Sequence, residues 1–277
     1  MCSQNISHIT STLHGFKKYV CYLNFHILRS KTTVYDVIEH ARKYCDGLPN
    51  DGDINAIFKD YKEKDKGLLG KYVEYALFSQ KPNCDACSDF ETIGIDLKVT
   101  AFKSLKSGNL NAKERLTITN IGNPSNENFG ENIIAHDDVK DTKYYEKMRK
   151  ALTIIVNNTD QKKYKTLEDV QKQRVLYMMN YDIEELPDVM QQVLYDDYAK
   201  ISECIITGKI TQKGQKYLHM HTHGSKGSKT RAFGFTSKFI TRMIAYYIAK
   251  EKGVNIDDVL VITRNGHSIS IRSSVFD

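Results

Sequence analysis

Residues 93–100 alternate apolar and polar side chains, the period of a half-buried strand, and they follow closely on a strongly apolar helical stretch at 68–78. A chain that sets strand-period and helix-period segments side by side is restricted to α/β or α+β architectures. The remainder keeps the mixture. Thr32 and Thr33 cap an amphipathic helix with Val34, Val37, Ile38 and Ala41 on one face, ending near residues 45–47. A second helical stretch follows the turn at 48–53. Residues 116–121 and 152–156 read as strands, and 167–180 and 188–207 as helices, the second stopped by Gly208. A strand around 217–220, a Gly/Ser/Lys loop at 224–230, a helix over 237–250 and a hairpin turning at Asn265-Gly266 complete the pattern. Residues 1–30 fit either a short strand pair or an arm, with no role assigned. There are no internal repeats.

Charge divides the chain. Its 277 residues carry a formal net charge of +6, yet residues 201–277 alone amount to +7 and the first 200 to −1. No carboxylate stands between Glu203 and Glu251, while nine Lys and Arg fall there. Such a block suits a polyanion, and nucleic acid is the first candidate; a solvated basic face is the plain alternative. No apolar run has the length to cross a bilayer, and the start is polar rather than signal-like, so no membrane association is expected. Six scattered cysteines fit a reducing, intracellular setting (cytoplasm or another DNA-containing compartment) rather than a secreted disulfide scaffold. Cys84 and Cys87 form a lone C-x-x-C without a second pair of ligands, so ordinary loop cysteines are the better reading than a zinc site.

Catalytic chemistry concentrates at residues 89–98, DFETIGIDLK. On a strand, Asp96 and Lys98 project from the same face, and a turn at 90–95 can return Asp89 to it. Two carboxylates and an ammonium at a strand end suit metal-assisted phosphodiester cleavage. The carboxylates hold Mg²⁺ through hard oxygens, the Leu97 carbonyl adds a ligand, and the lysine orients or deprotonates water. Glu74, on the preceding helix, is a further carboxylate. The spacing alone is not specific, since a strand edge bearing solvated charges gives the same pattern. His219, His221 and His223 alternate on a predicted strand, but no acid or cysteine nearby in sequence completes a metal site.

With KGLLGKYVE at 66–74 placed before DFETIGIDLK, the chain resembles the MutH mismatch-repair nicking endonuclease and the GATC-specific restriction endonucleases of the Sau type, within the PD-(D/E)xK superfamily. Further similar runs are TVYDVIEHA at 33–41, EKMRKALTIIV at 146–156, DYAKISECIITG at 197–208 with Tyr217-Leu218, and KTRAF at 229–233 with Phe239. The likeness covers about 32–250, in family order. It implies a restriction-endonuclease-like α/β (α+β) fold, a mixed sheet flanked by helices, with two lobes around a DNA-binding cleft. The expected division is an N-terminal extension at 1–30, a catalytic lobe at about 31–165 and a recognition lobe at about 166–277. By the same likeness, Asp89, Asp96 and Lys98 are the metal-binding acids and catalytic lysine, Glu74 is the helix-borne acid, and Lys147 lies near the scissile phosphate.

The sequence departs from MutH in places. Asp96 stands where MutH has glutamate, a change that keeps a sound Mg²⁺ ligand. His221 replaces a base-reading arginine, and Gly234-Phe235 stand about where MutH has a methyl-sensing tyrosine. The loop 224–231 is more like the restriction branch. Candidate DNA contacts are His221, Ser225, Lys226, Lys229, Arg231 and Lys238, with Gly224 and Gly227 permitting close approach. The resemblance therefore implies a Mg²⁺-dependent type II restriction enzyme cutting duplex DNA at GATC. The implied assembly is a homodimer on its palindromic site, with a cognate DNA methyltransferase as functional partner. A MutH-like nickase and a non-catalytic DNA-binding module are the alternatives.

Overall fold

The computed structural model describes residues 4–29, 32–60, 67–81, 88–159, 164, 166–209, 214–224, 227–263 and 268–276, except for the side chains of Asn132 and Lys143. The chain opens with β1 (Gln4–Asn5), α1 (Ile6–Thr10), α2 (Leu13–Ile27), α3 (Val34–Tyr44), β2 (Cys45–Asp46), α4 (Asp51–Phe58) and α5 (Leu68–Phe78). Next come β3 (Asp96–Ser104), β4 (Leu110–Ala112), β5 (Leu116–Gly122), α6 (Glu131–Ile134), α7 (Lys143–Arg149), β6 (Lys150–Asn157), α8 (Leu167–Gln171) and β7 (Arg174–Asp182). The final part holds α9 (Asp188–Ile206), β8 (Leu218–Thr222), β9 (Arg231–Phe235), α10 (Ser237–Lys252), α11 (Ile256–Val259), β10 (Leu260–Ile262) and β11 (Ile269–Ile271). This is a mixed α+β fold, with parallel and antiparallel strand pairings flanked by helices. Among the described residues no helix is long and apolar enough to cross a membrane.

Two compact units share the chain. The first takes residues 1–107, 151–180 and 273–277, and the second 108–150 and 181–272. This interleaving differs from the expected single boundary near residue 165: residues 108–150 belong to the second unit, and β7, which follows that boundary, pairs beside β6 in the first. In the first unit β3 and β6 run parallel, Asp96 opposite Ala151 through Phe102 opposite Asn157, with β7 on the far side of β6. Residues 167–180, expected as one helix, are instead α8 followed by strand β7. Val175 to Met179 are all buried, and a continuous apolar run does not by itself distinguish a buried strand from a buried helix.

α1 and α2, within residues 4–29, are part of this unit's core. Phe16, Tyr19 and Leu23 of α2 are fully buried. Phe16 lies between Phe78 and Phe90, with ring centroids 6.1 and 4.9 Å away. The Tyr19 hydroxyl donates to Leu77 O at 2.9 Å. Asn24 does for β7 what a neighbouring strand would do. Its Nδ2 donates to Met178 O (2.6 Å) and its Oδ1 accepts from Met178 N (2.9 Å). Val175 N also donates to Thr32 O, and Val34 N to Gln173 O, so this edge of the sheet is covered. α3 starts from a capping box in which Thr33 and Asp36 satisfy each other's backbone N–H.

The second unit is built on an antiparallel sheet in the order β5-β9-β8 and on the hairpin β10-β11, whose second strand pairs with β4. α10 buries Phe239, Ile240, Met243, Ile244 and Ile248 as expected of a core helix. α9 contributes Asp197, which is fully buried. One of its oxygens accepts from Lys216 N, Tyr217 N and Leu218 N at 2.8, 2.6 and 3.1 Å, fixing where β8 begins.

Replacing Phe16 with Ala should destabilise the protein by about 3–5 kcal/mol, since a fully buried ring leaves a cavity against Phe78 and Phe90. Urea unfolding checks this; a cost under 1 kcal/mol would mean that α2 is not a core element.

Candidate active site

The site begins with a tight turn. Phe90 and Ile95 exchange backbone hydrogen bonds (2.9 and 3.3 Å) around a 3₁₀ turn, Glu91–Ile93. Gly94 closes it at φ +63, a left-handed conformation suited to glycine. Phe90 is buried against Phe16 and Phe78, so the turn is anchored in the core. This turn returns Asp89 to the start of β3, where its Oδ2 accepts from Leu97 N at 2.7 Å. Gln80, just past α5, donates from Nε2 to Asp89 O at 2.9 Å. Sequence reasoning missed both Gln80 and Phe90, because neither residue type signals a site; their roles follow only from the turn they hold.

Asp96 is 1 % exposed. Its Oδ2 accepts no well-directed hydrogen bond and is paired in charge with Lys98 Nζ, two residues along the same face of β3. The Asp89 and Asp96 carboxyls stand within hydrogen-bonding reach of each other. Burial first, then the neighbouring Asp96, push Asp89 up to about 6, against the relief offered by Leu97 N and Lys98. Glu74, half-buried on α5, is pushed up to about 7, chiefly by burial and then by Asp89, while Lys98 pulls the other way. The structure thus brings Glu74, Asp89, Asp96, Leu97 and Lys98 into one electrostatic neighbourhood within the first unit.

Carboxylates held this close carry an excess of negative charge that Lys98 does not balance, and they fit a hard divalent cation. Asp89, Asp96 and the Leu97 carbonyl would be its ligands. Among the described residues no three His, Cys, Asp or Glu side chains stand together as a complete metal cage. Mg²⁺ needs no such cage, since it commonly keeps several waters and takes one or two carboxylates.

The remaining candidates lie in the second unit. Lys147 is half-buried on α7. Lys229 and Lys238 are exposed, and Arg231 opens β9 with Nη1 donating to Thr222 Oγ1 at 2.9 Å. His223 N donates to Thr230 O, closing the loop between β8 and β9. Gly224 and Gly227 in that loop have φ +101 and +91. Ser225 and Lys226, like Cys84, Cys87 and the Asn265-Gly266 turn, lie outside the described residues. His221 does not join the exposed group. It is 1 % exposed, its Nε2 is 3.2 Å from Thr117 Oγ1, and its ring lies over Gly234, where a Cβ would come within 2.8 Å of it. Burial holds His219 near 4 and His221 near 3, so both are neutral imidazoles at neutral pH.

For carboxyls raised in the folded state, stability is complete below their ordinary range and falls as pH rises towards 7, because the native protein then binds more protons than the unfolded chain. Metal-free protein should therefore lose melting temperature between pH 5 and pH 8 through Glu74 and Asp89, and Glu74→Gln should flatten that fall. Calorimetry in a chelator tests it; an unchanged pH profile in Glu74→Gln would contradict the assigned environment. Added Mg²⁺ should raise the melting temperature more at pH 8 than at pH 5.

Comparison with known proteins gives two likenesses. Residues 78–187 match the family model described as the DNA mismatch repair enzyme MutH. The type II restriction enzyme Sau3AI of Staphylococcus aureus is 24 % identical over 196 residues, covering 64 % of this chain and 36 % of that enzyme. The chain thus spans about a third of the length of the curated relative it matches. The family match takes in Asp89, Asp96, Lys98 and Lys147, and both likenesses point towards the MutH/Sau-type restriction endonucleases as the proteins this chain is similar to.

Proposed function

We propose that the chain is a Mg²⁺-dependent endonuclease that hydrolyses both strands of duplex DNA at GATC, in the manner of a type II restriction enzyme. The observation that carries this reading is the convergence of Asp89, Asp96 and Lys98 at the start of β3, with Glu74 facing them from α5. A divalent ion held by Asp89, Asp96 and the Leu97 carbonyl would polarise the scissile phosphate and stabilise the leaving oxygen. Lys98, kept at the cluster by Asp96, orients the attacking water or takes its proton. Glu74, with its carboxyl near 7, can hold or release a proton at the working pH. Lys147 is assigned to the scissile phosphate on the family resemblance.

Lys229, Arg231 and Lys238, with Ser225 and Lys226, supply base and phosphate contacts. His221 is withdrawn from that set because its ring is covered. Cleavage of both strands is favoured over methyl-directed nicking by the region about where MutH carries its sensing tyrosine. Gly234 lies beneath His221, and Phe235 is fully buried against Tyr181 and Phe239, so neither presents a ring to DNA. A palindromic site calls for a homodimer on DNA, and a methyltransferase would protect host sites.

Incubation with supercoiled plasmid and Mg²⁺ should give linear fragments with ends mapping to GATC. Nicked circles would favour the repair nickase, and retarded but uncut plasmid a binding module. Lys98→Ala should abolish cutting and leave DNA affinity within about tenfold, since it removes a reacting group and not a groove contact. Wild-type cutting by that variant would overturn the site.

A further inference from the structure

The first 35 residues contain no Asp or Glu, yet include Lys17, Lys18, Arg29 and Lys31. α2 sorts this segment into two faces. Phe16, Tyr19, Val20, Leu23, Asn24 and Ile27 point into the core, while His14, Lys17, Lys18, Cys21 and Phe25 are exposed. At 100° per residue the exposed set occupies a single side of the helix, and Arg29, just past its end, continues that side. Lys17 to Arg29 spans about 18 Å along the axis.

These cations are not balanced locally. Among the described residues Lys17, Lys18 and Arg29 form no ion pair with a carboxylate. The nearest acids in sequence, on α3, are committed elsewhere: Asp36 caps its own helix and Glu39 pairs with Arg42. The Arg29 guanidinium lies 4.2 Å over the ring of Phe25, which is half exposed. His26 stacks on His40 of α3 at 3.8 Å. Burial and then the neighbouring His40, Lys43 and Arg29 hold His26 below its ordinary value. The outer side of α2 is therefore a cationic surface with aromatic edges, in the same unit as the carboxylate cluster. It is joined to that cluster's turn through the Phe16–Phe90 contact.

We propose that the exposed face of α2, carried by Lys17, Lys18 and Arg29, is a second, sequence-independent contact for the phosphate backbone of duplex DNA flanking the cut site. The proposal rests on the nuclease reading. Duplex DNA fits the face because it offers a negative charge about every 1.7 Å of axis, so an 18 Å row of fixed cations meets several phosphates at once. Backbone contacts of this type position a protein without reading sequence. The face thereby gives a function to a segment that lies ahead of the stretch resembling the family.

The salt dependence of binding tests it. Equilibrium binding of the full chain to a duplex several helical turns long should show a slope of log K against log salt that falls in magnitude by about 2–3 in Lys17→Gln/Lys18→Gln/Arg29→Gln, from counterions no longer released. The charge-preserving variant Lys17→Arg/Lys18→Arg/Arg29→Lys should restore the slope, which a change in folding alone would not produce. A duplex just long enough for the recognition site should show a smaller loss than the long one. If wild type binds and cuts DNA but the Gln variant keeps its slope on the long duplex, the α2 contact is overturned and the nuclease reading stands. If wild type binds no duplex at any salt, the nuclease reading fails and the contact with it. Loss of retention on immobilised polyglutamate with an unchanged DNA slope would assign the face to an acidic protein and likewise overturn the proposal.

Discussion

The hydrogen bond from Leu97 N to Asp89 is the contact on which the rest of the carboxylate cluster converges. It holds one carboxylate beside another, Asp96, that is almost wholly buried, an arrangement opposed by both desolvation and like-charge repulsion. Neither carboxyl would stay there on a mobile loop. The opposing terms are met by the Phe90–Ile95 turn, by Gln80 on the Asp89 carbonyl, and by three packed aromatic rings from α2, α5 and the turn itself. A divalent cation bound there would relieve the repulsion between the acids.

The second unit shows a buried carboxylate handled in a different way. Asp197 gathers three successive backbone N–H groups, the commonest way for a fully buried carboxylate to be tolerated. Around α7, Arg149 pairs with Glu184, and Tyr145 donates to the same carboxylate at 3.0 Å, tying the helix that carries Lys147 to the segment before α9.

Much of this was legible from residue order. The capping box of α3, the strand face shared by Asp96 and Lys98, and the core face of α10 each follow from a local rule with one outcome. The failures have physical causes. β7 was read as helix because Val175 to Met179 are buried on both faces, which erases the alternation that marks a strand. α2 was untyped because its polar residues are cationic and aromatic rather than regularly spaced acids and bases, and because its partners, Phe78 and Phe90, are distant in sequence. His221 looked like a groove residue because alternation reveals which residues share a face but not what covers that face. Here the cover comes from β9 and from Thr117, over a hundred positions away.

The packing of His221 over Gly234 carries a consequence for how recognition can change. A side chain at 234 would meet Leu116 O at 2.5 Å as well as the imidazole, so it requires both the neighbouring strand and residue 221 to yield. A smaller residue at 221 alone would open a void beside the unsubstituted glycine. The two positions are therefore coupled: a side chain at 234 is accommodated only if residue 221 gives way, and even then the β5 backbone at Leu116 must move as well.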